Sequence, residues 1–170
     1  MREKVIILSC TEIGYQIIKS LGECGIKSIC IYGHLKDEIG QYSKYIEKSY
    51  KIPEMYNNEN ILLEFLMKNS ILWKGYLIIP SDDFGVVFLS KYKKHLFDNY
   101  IIPTPNIDTI DTILNKRRLY EIANKINIAT PKNIYPKTDE EIKKLGKKID
   151  FPCLLKPALG HIFFKAHDVK

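Results

Sequence analysis

The sequence predicts an α/β fold: a parallel sheet with helices between its strands, followed by a smaller and incomplete α+β unit. Three observations predict it. Residues 4–8 (Lys-Val-Ile-Ile-Leu), 28–32 and 76–79 are short aliphatic runs of the kind that form strands buried on both faces. Stretches with apolar residues at helical spacing separate them, and a strand–helix–strand unit implies a right-handed parallel crossover. After Pro105 the chain turns more polar, and the aliphatic residues become isolated. That shift divides it into residues 1–105 and 106–170.

The elements follow in order. Past the first strand, Thr11 is placed to cap a helix whose Ile13, Ile17, Ile18 and Leu21 fall on one face, with Gly22 and Gly25 ending it. Residues 42–51, polar and aromatic, read as a short helix and an edge strand that stops at Pro53. Asn57 or Asn58 can cap the next helix, with Ile61, Leu62, Phe65, Leu66 and Met67 inward. Pro80-Ser81-Asp82-Asp83 forms the turn after the third central strand, and Val86, Val87, Leu89 and Leu96 face the core from the helix beyond. Residues 100–102 make a last short strand against Pro103 and Pro105.

Residues 106–114 read as a polar connection. Asn115 then caps a helix through Leu119, Tyr120, Ile122, Ala123 and Ile126. Residues 132–135 are strand-like, and Thr138 with Glu141 forms a capping box for a helix to about residue 148. The run 151–155 (Phe-Pro-Cys-Leu-Leu) reads as a buried strand ending in Lys156, with a turn at Gly160-His161 and a hairpin return through Ile162-Phe163-Phe164.

Composition narrows the function classes. Hydrophobic content of 45% and charged content of 27% are those of an ordinary soluble globular protein. No apolar run approaches the ~20 residues of a membrane span, and the first residues lead into a strand without a signal-peptide core, so a cytoplasmic protein is expected. The net charge of +6 is spread over several helices. Lys116-Arg117-Arg118 is the densest early cluster, and Lys143, Lys144, Lys147 and Lys148 share a segment with Asp139, Glu140 and Glu141. With no concentrated basic stripe, nucleic-acid binding is the weakest reading. Cys10, Cys24, Cys30 and Cys153 lack C-x-x-C spacing and are expected as reduced thiols rather than as a zinc site or disulfides.

In an open parallel sheet, ligands gather beyond the carboxyl ends of the strands. That rule nominates Ser9, Thr11, Gly33, Ser81, Asp82 and Asp83, with Ser81 or Asp82 also serving as a helix cap. A dinucleotide signature is absent. The first turn carries Ser9 and Thr11 where glycines would stand, only Gly14 matches the third glycine, and the second strand ends in Tyr32-Gly33-His34 without an acid for a ribose. Lys156 is a second focus, because a lysine at the end of a buried strand is aimed either at water or at an anion.

These segments together resemble the amino-terminal part of an ATP-grasp enzyme. Asn115-Lys116 opening a helix, the turn from Asn127 to Pro131, the second-lysine strand through Lys156-Pro157 and the loop starting at Gly160-His161 match that superfamily in order. Tyr42-Ser43-Lys44-Tyr45, Ile52-Pro53 and Ile79-Pro80-Ser81-Asp82 resemble the Rossmann-like domain that precedes the grasp in carbamoyl phosphate synthetase-like and D-aspartate ligase-like carboxylate–amine ligases. The loop departs from the pattern, with Ala158-Leu159 where consecutive glycines are usual. The resemblance implies ATP as a ligand, with Lys116, Lys156, Gly160 and His161 around its phosphates and Lys156 also near the adenine. It implies a small carboxylate and an amine as substrates, with Ser9, Thr11, Ser81, Asp82 and Asp83 at the acceptor. Magnesium belongs to the complete enzyme, and its ligands are expected outside these 170 residues, so the chain alone is expected to be inactive, as a truncated or split-gene piece. Its unfinished second sheet would then pair with another copy or a complementary chain, or else leave the segment after Phe151 mobile. A non-catalytic Rossmann-like binding or regulatory module is the alternative.

Overall fold

The computed structural model of the protein describes residues 4–33, 38–146 and 149–159. The chain divides into two units, the first ending at Ile110 and the second starting at Asp111.

The first unit is built on five strands: β1 (Val5–Leu8), β2 (Ser28–Tyr32), β3 (Ile46–Lys51), β4 (Tyr76–Pro80) and β5 (Tyr100–Ile101). They form a wholly parallel sheet in the order β3-β2-β1-β4-β5. All four residues of β1 are buried, as befits a central strand, whereas Glu47, Lys48 and Ser49 of β3 are exposed at an edge. Helices α1 (Glu12–Glu23), α2 (Glu59–Lys68), α3 (Asp83–Lys91) and α4 (Lys93–Leu96) fill the crossovers. The two-residue period of the strands sorts the core onto the two faces of the sheet. Ile6, Leu8, Ile29, Ile31 and Ile78 pack with Leu62, Leu66, Trp73, Phe88, Leu89 and Leu96. Val5, Ile7 and Cys30 pack with Cys10 and with Ile18 of α1.

Several sequence expectations need correction. Ile13 is 62% exposed, because α1 rests on the sheet along Gly14 and Ile18, four residues apart. Thr11 holds the N-cap position of α1 without a side-chain capping bond. Phe88 is fully buried in α3, where Val86 and Val87 are only partly so. The supposed polar connection after Pro105 contains α5 (Ile107–Leu114), anchored by buried Ile110. Cys10 and Cys30 are paired as a disulfide with Cα atoms 6.6 Å apart, not reduced. Parallel pairing sets Leu8 beside Ile31 and so brings Cys10, two residues past the end of β1, close to Cys30 of β2, a proximity hidden in the linear chain.

In the second unit, α6 (Lys116–Lys125) is capped as expected, the Asn115 side chain accepting from the Arg118 amide. Asn127 follows with a φ of 58°, a left-handed conformation that asparagine tolerates. In α7 (Asp139–Leu145) the Thr138 hydroxyl accepts from the Glu141 amide, but the Glu141 carboxylate accepts from Lys137 rather than from Thr138, so the box is shifted by one residue. Among the described residues this unit has no strand. Residues 132–135 and 153–156 pair with no other described residue in a ladder, and Leu154 and Leu155 are 84% and 99% exposed. Among the described residues the expected Lys156 strand, and the open sheet edge it would have offered to another chain, are therefore not formed. β-propensity reports fitness for a sheet, and a strand also needs a neighbour. Gly160, His161 and the hairpin return at 162–164 lie outside the described residues.

Candidate functional site

The strand order reverses between β1 and β4, and the crevice above such a switch point is where open parallel sheets bind ligands. Two serines join the strand ends there. Ser9 leaves β1 with a φ of 67° and donates its amide to Ile31 O at 2.9 Å. The Ser81 hydroxyl lies 2.7 Å from Ser9 O and 3.0 Å from Leu8 O, both as acceptors, while the Ser81 amide donates to Leu8 O. Ser81 is thereby committed to the scaffold. Gly14 allows the close approach of α1, because a Cβ there would stand 2.4 Å from Ser9 O.

Asp82 follows as the N-cap of α3, its Oδ1 accepting from the Gly85 amide at 2.7 Å. Its other oxygen, Oδ2, lies 3.4 Å from the Tyr56 hydroxyl. The same hydroxyl is 3.2 Å from Glu38 Oε1, and Glu38 Oε2 accepts from the Cys10 amide. Thus the connection after β2, rather than the strand end itself, supplies an acid to this crevice. The Tyr56 ring is held by Phe84, with centroids 4.8 Å apart, and lies over Gly33, where a Cβ would meet the ring at 2.4 Å. Sequence reasoning missed both Glu38 and Tyr56. The only signal was an acidic pair, Asp37-Glu38, shortly past the end of β2.

Of the other nominated residues, Thr11 is partly buried at the start of α1, and Asp83 is exposed in the first turn of α3. Ser9 is fully buried, and its Oγ makes no hydrogen bond of standard geometry, although it lies close enough to act on both Tyr56 and Asp82.

The electrostatics of the cluster follow from burial. Glu38 is only 2% exposed, and loss of water raises its carboxyl above the ordinary value of 4.5, against the lowering effect of amide bonds from Cys10 and Gly33. Burial likewise raises Asp82, opposed chiefly by the Gly85 amide. Burial and the nearby Asp82 charge push the Tyr56 phenol up, so it keeps its proton. A phenol has a single proton and can donate it to only one carboxylate. The second contact is satisfied when the other carboxyl is itself protonated, so the geometry favours one proton shared across the pair. Chemically the cluster is rich in acceptors and suits a donor such as an amine or hydroxyl.

In the second unit, two lysine-bearing segments meet. Lys116 is the first residue of α6, and its amide donates to Ala158 O at 3.1 Å, which sets the residues just after Lys156 against the start of the helix. Tyr135 reaches the same turn, its hydroxyl 3.4 Å from Lys116 O and its ring under Arg117. Lys156 is exposed and Lys116 partly so. The contact joins the two segments through the backbone, with one lysine on each of them. Magnesium does not fit the described residues, since no group of three His, Cys, Asp or Glu side chains among them could hold a metal ion.

No protein-family profile matches the chain. Among curated proteins it is 26% identical over 168 residues to biotin carboxylase 2, chloroplastic, of Populus trichocarpa, covering 93% of this chain and 30% of the relative. It is 24% identical over 163 residues to the formate-dependent phosphoribosylglycinamide formyltransferase of Prochlorococcus marinus, covering 94% and 38%. Among solved structures, the biotin carboxylase domain of the Hydrogenobacter thermophilus 2-oxoglutarate carboxylase superposes with a TM-score of 0.64 at 22% identity, over 93% of this chain and 35% of that one. The Bacillus licheniformis L-amino acid ligase superposes with a TM-score of 0.61 at 14% identity, over 86% and 42%. The chain thus spans about a third of the length of the relatives it matches. These proteins are ATP-grasp enzymes, and the region they share with this chain is their amino-terminal α/β domain. The chain is thus similar, along nearly its whole length, to the amino-terminal region of these ATP-grasp enzymes.

Proposed function

We propose that the chain is the amino-terminal part of an ATP-dependent carboxylate–amine ligase. In that reaction a carboxylate oxygen attacks the γ-phosphorus of ATP, ADP leaves, and an amine displaces phosphate from the acyl phosphate to form the carbon–nitrogen bond. The observation that carries this reading is an alignment that runs through more than nine tenths of the chain while taking up only 30% to 38% of the relatives. Residues 1–105 form the acceptor-binding domain, with Ser9, Thr11, Ser81, Asp82 and Asp83 at the crevice and Glu38 and Tyr56 beneath them. Residues 106–170 supply Lys116 and Lys156 to the phosphates, with Gly160 and His161 in the covering loop. Two ammonium groups there offset phosphate charge and stabilise the charge that grows on the leaving oxygen. Magnesium is supplied with ATP and held by the remainder of such an enzyme, so this chain alone binds without turning over. The whole works in the cytoplasm, closest in type to the carbamoyl phosphate synthetase-like ligases.

The test is ATP protection. Millimolar ATP should raise the melting temperature of the purified chain by linkage, and Lys116→Ala and Lys156→Ala should each reduce the shift. An unchanged melt with ATP, or full retention of the shift in both variants, would remove the phosphate role and leave a non-catalytic binding module. ADP release coupled to acyl phosphate formation by this chain alone would overturn the claim that it is incompetent in isolation.

A further inference from the structure

Cys10 and Cys30, joined across the end of β1 and the middle of β2, are both fully buried, whereas Cys24 and Cys153 are exposed thiols. What sets the bond apart is what Cys10 holds. Its amide donates to Glu38 Oε2, and its carbonyl accepts from the Gly40 amide at 2.7 Å. Glu38 meets the Tyr56 hydroxyl, which in turn meets Asp82. Gly40, in the 3-10 turn Ile39–Tyr42, lies so close that a Cβ on it would stand 2.9 Å from the Cys10 carbonyl oxygen. On the other side Ser9 keeps a φ of 67°, a left-handed conformation unfavourable for serine, and its carbonyl receives the Ser81 hydroxyl. Residues 9 and 10 are therefore the junction from which the acidic cluster and the 3-10 turn both hang. The disulfide ties that junction to β2.

We propose that Cys10–Cys30 is a reversible thiol–disulfide switch that sets how firmly Glu38 and Tyr56 are held in the crevice. The reductant is a dithiol. One of its thiolates attacks a sulfur of the bond, forms a mixed disulfide and releases the other cysteine, which takes up a proton. The second thiol of the reductant then displaces the protein sulfur, so the chain gains two electrons and two protons and the reductant leaves as a cyclic disulfide. Cys30 stays seated by the β1–β2 ladder, and Cys10, beyond the end of β1, is the half free to move. Once it moves, Ser9 can leave the left-handed region, and Glu38 and Gly40 lose their fixed partners. Asp82 stays in place, because the Gly85 amide caps it onto α3 independently. Burial of both cysteines makes exchange wait for local opening of the turn that covers Cys10. In the cytoplasm proposed above, disulfides that do form are mostly catalytic or redox-sensing, which suits a bond at this junction.

Amide exchange read by NMR on the full chain, oxidised and then reduced with dithiothreitol, tests this without any ligand. Alkylation and peptide mass analysis assign the state of each cysteine. Exchange at the Cys10 and Gly40 amides should quicken by about ten-fold or more on reduction and slow again after reoxidation with oxidised glutathione, while Ile78 in β4 stays unchanged. Cys30→Ser, which leaves Cys10 without a partner, should exchange fast under both conditions, with a melting curve to confirm that it is folded. The wild-type comparison stands even where that variant does not fold. Failure of Cys10 and Cys30 to pair under oxidising glutathione, equal exchange in the two states, or a reduction that loosens β4 as much as Cys10 would each overturn the proposal. So would a folded Cys30→Ser chain that still responds to the reductant.

Discussion

Glu38 and Asp82 share one phenol, and that arrangement fixes how stability depends on pH. In the unfolded chain the two carboxyl groups ionise near 4.5 and 3.8, whereas in the fold burial keeps each protonated to higher pH. Between those values and the raised ones the native state binds more protons than the unfolded state. Stability therefore falls as pH rises through that window, and the full penalty applies above it. Glu38→Gln keeps an acceptor for the Cys10 amide and removes one of the two ionisations. Its urea-unfolding free energy should fall less steeply than that of the wild type as pH rises above the ordinary carboxyl value of 4.5, with the two curves converging in acid. Parallel curves would mean that Glu38 titrates as it does in water. The strand-end rule made Ser9, Ser81 and Asp82 legible from sequence, because each follows a strand directly. Glu38 and Tyr56 were not legible. They reach the same spot from a loop after β2 and a turn after β3, and linear spacing does not show where such segments return.

At the scale of elements, α1 depends on Gly14. A methyl group there would stand 2.4 Å from Ser9 O and 3.0 Å from Ser81 Oγ, inside the junction of β1 and β4. Replacing a mid-helix glycine by alanine ordinarily stabilises by up to ~1 kcal/mol, but the obstacle here is a backbone carbonyl that cannot rotate away. Overpacking wins, so Gly14→Ala should destabilise the fold by about 1–3 kcal/mol in denaturant unfolding and should alter exchange at the Ser9 and Ser81 amides. A neutral or stabilising result would show that α1 can lift off the sheet without loss. The five strands and the caps Asn58, Asn115 and Thr138 were readable because each rests on local chemistry, a β-branched run or an oxygen one turn ahead of an amide. α5 was hidden by Asp108, Thr109, Asp111 and Thr112, which dilute the Ile107, Ile110 and Leu114 spacing. The strand read into residues 151–156 failed for the opposite reason. Its composition was right, and no ladder partner stands beside it among the described residues.

Across the whole molecule, the two units differ in what they bury. The first holds a two-faced core around β1, whereas among the described residues no hydrophobic side chain after Ile110 is buried. Leu119, Ile122 and Ile126 of α6 and its end remain 38%, 43% and 60% exposed, and Ile142 of α7 is 55% exposed. Short helices draw most of their stability from packing an apolar face, and these faces are still largely in water. Local opening of α6 and α7 should therefore cost much less than global unfolding, by ~3 kcal/mol or more, which is about a hundred-fold in amide exchange rate relative to β1 and β4. Hydrogen exchange of the full chain measures this directly. If ATP binds at Lys116 and Lys156 as proposed, it should slow exchange at the start of α6, where Lys116 stands, more than in β1. Exchange in α6 and α7 as slow as in β1 without any ligand would show that the second unit is stabilised by contacts other than its own apolar burial.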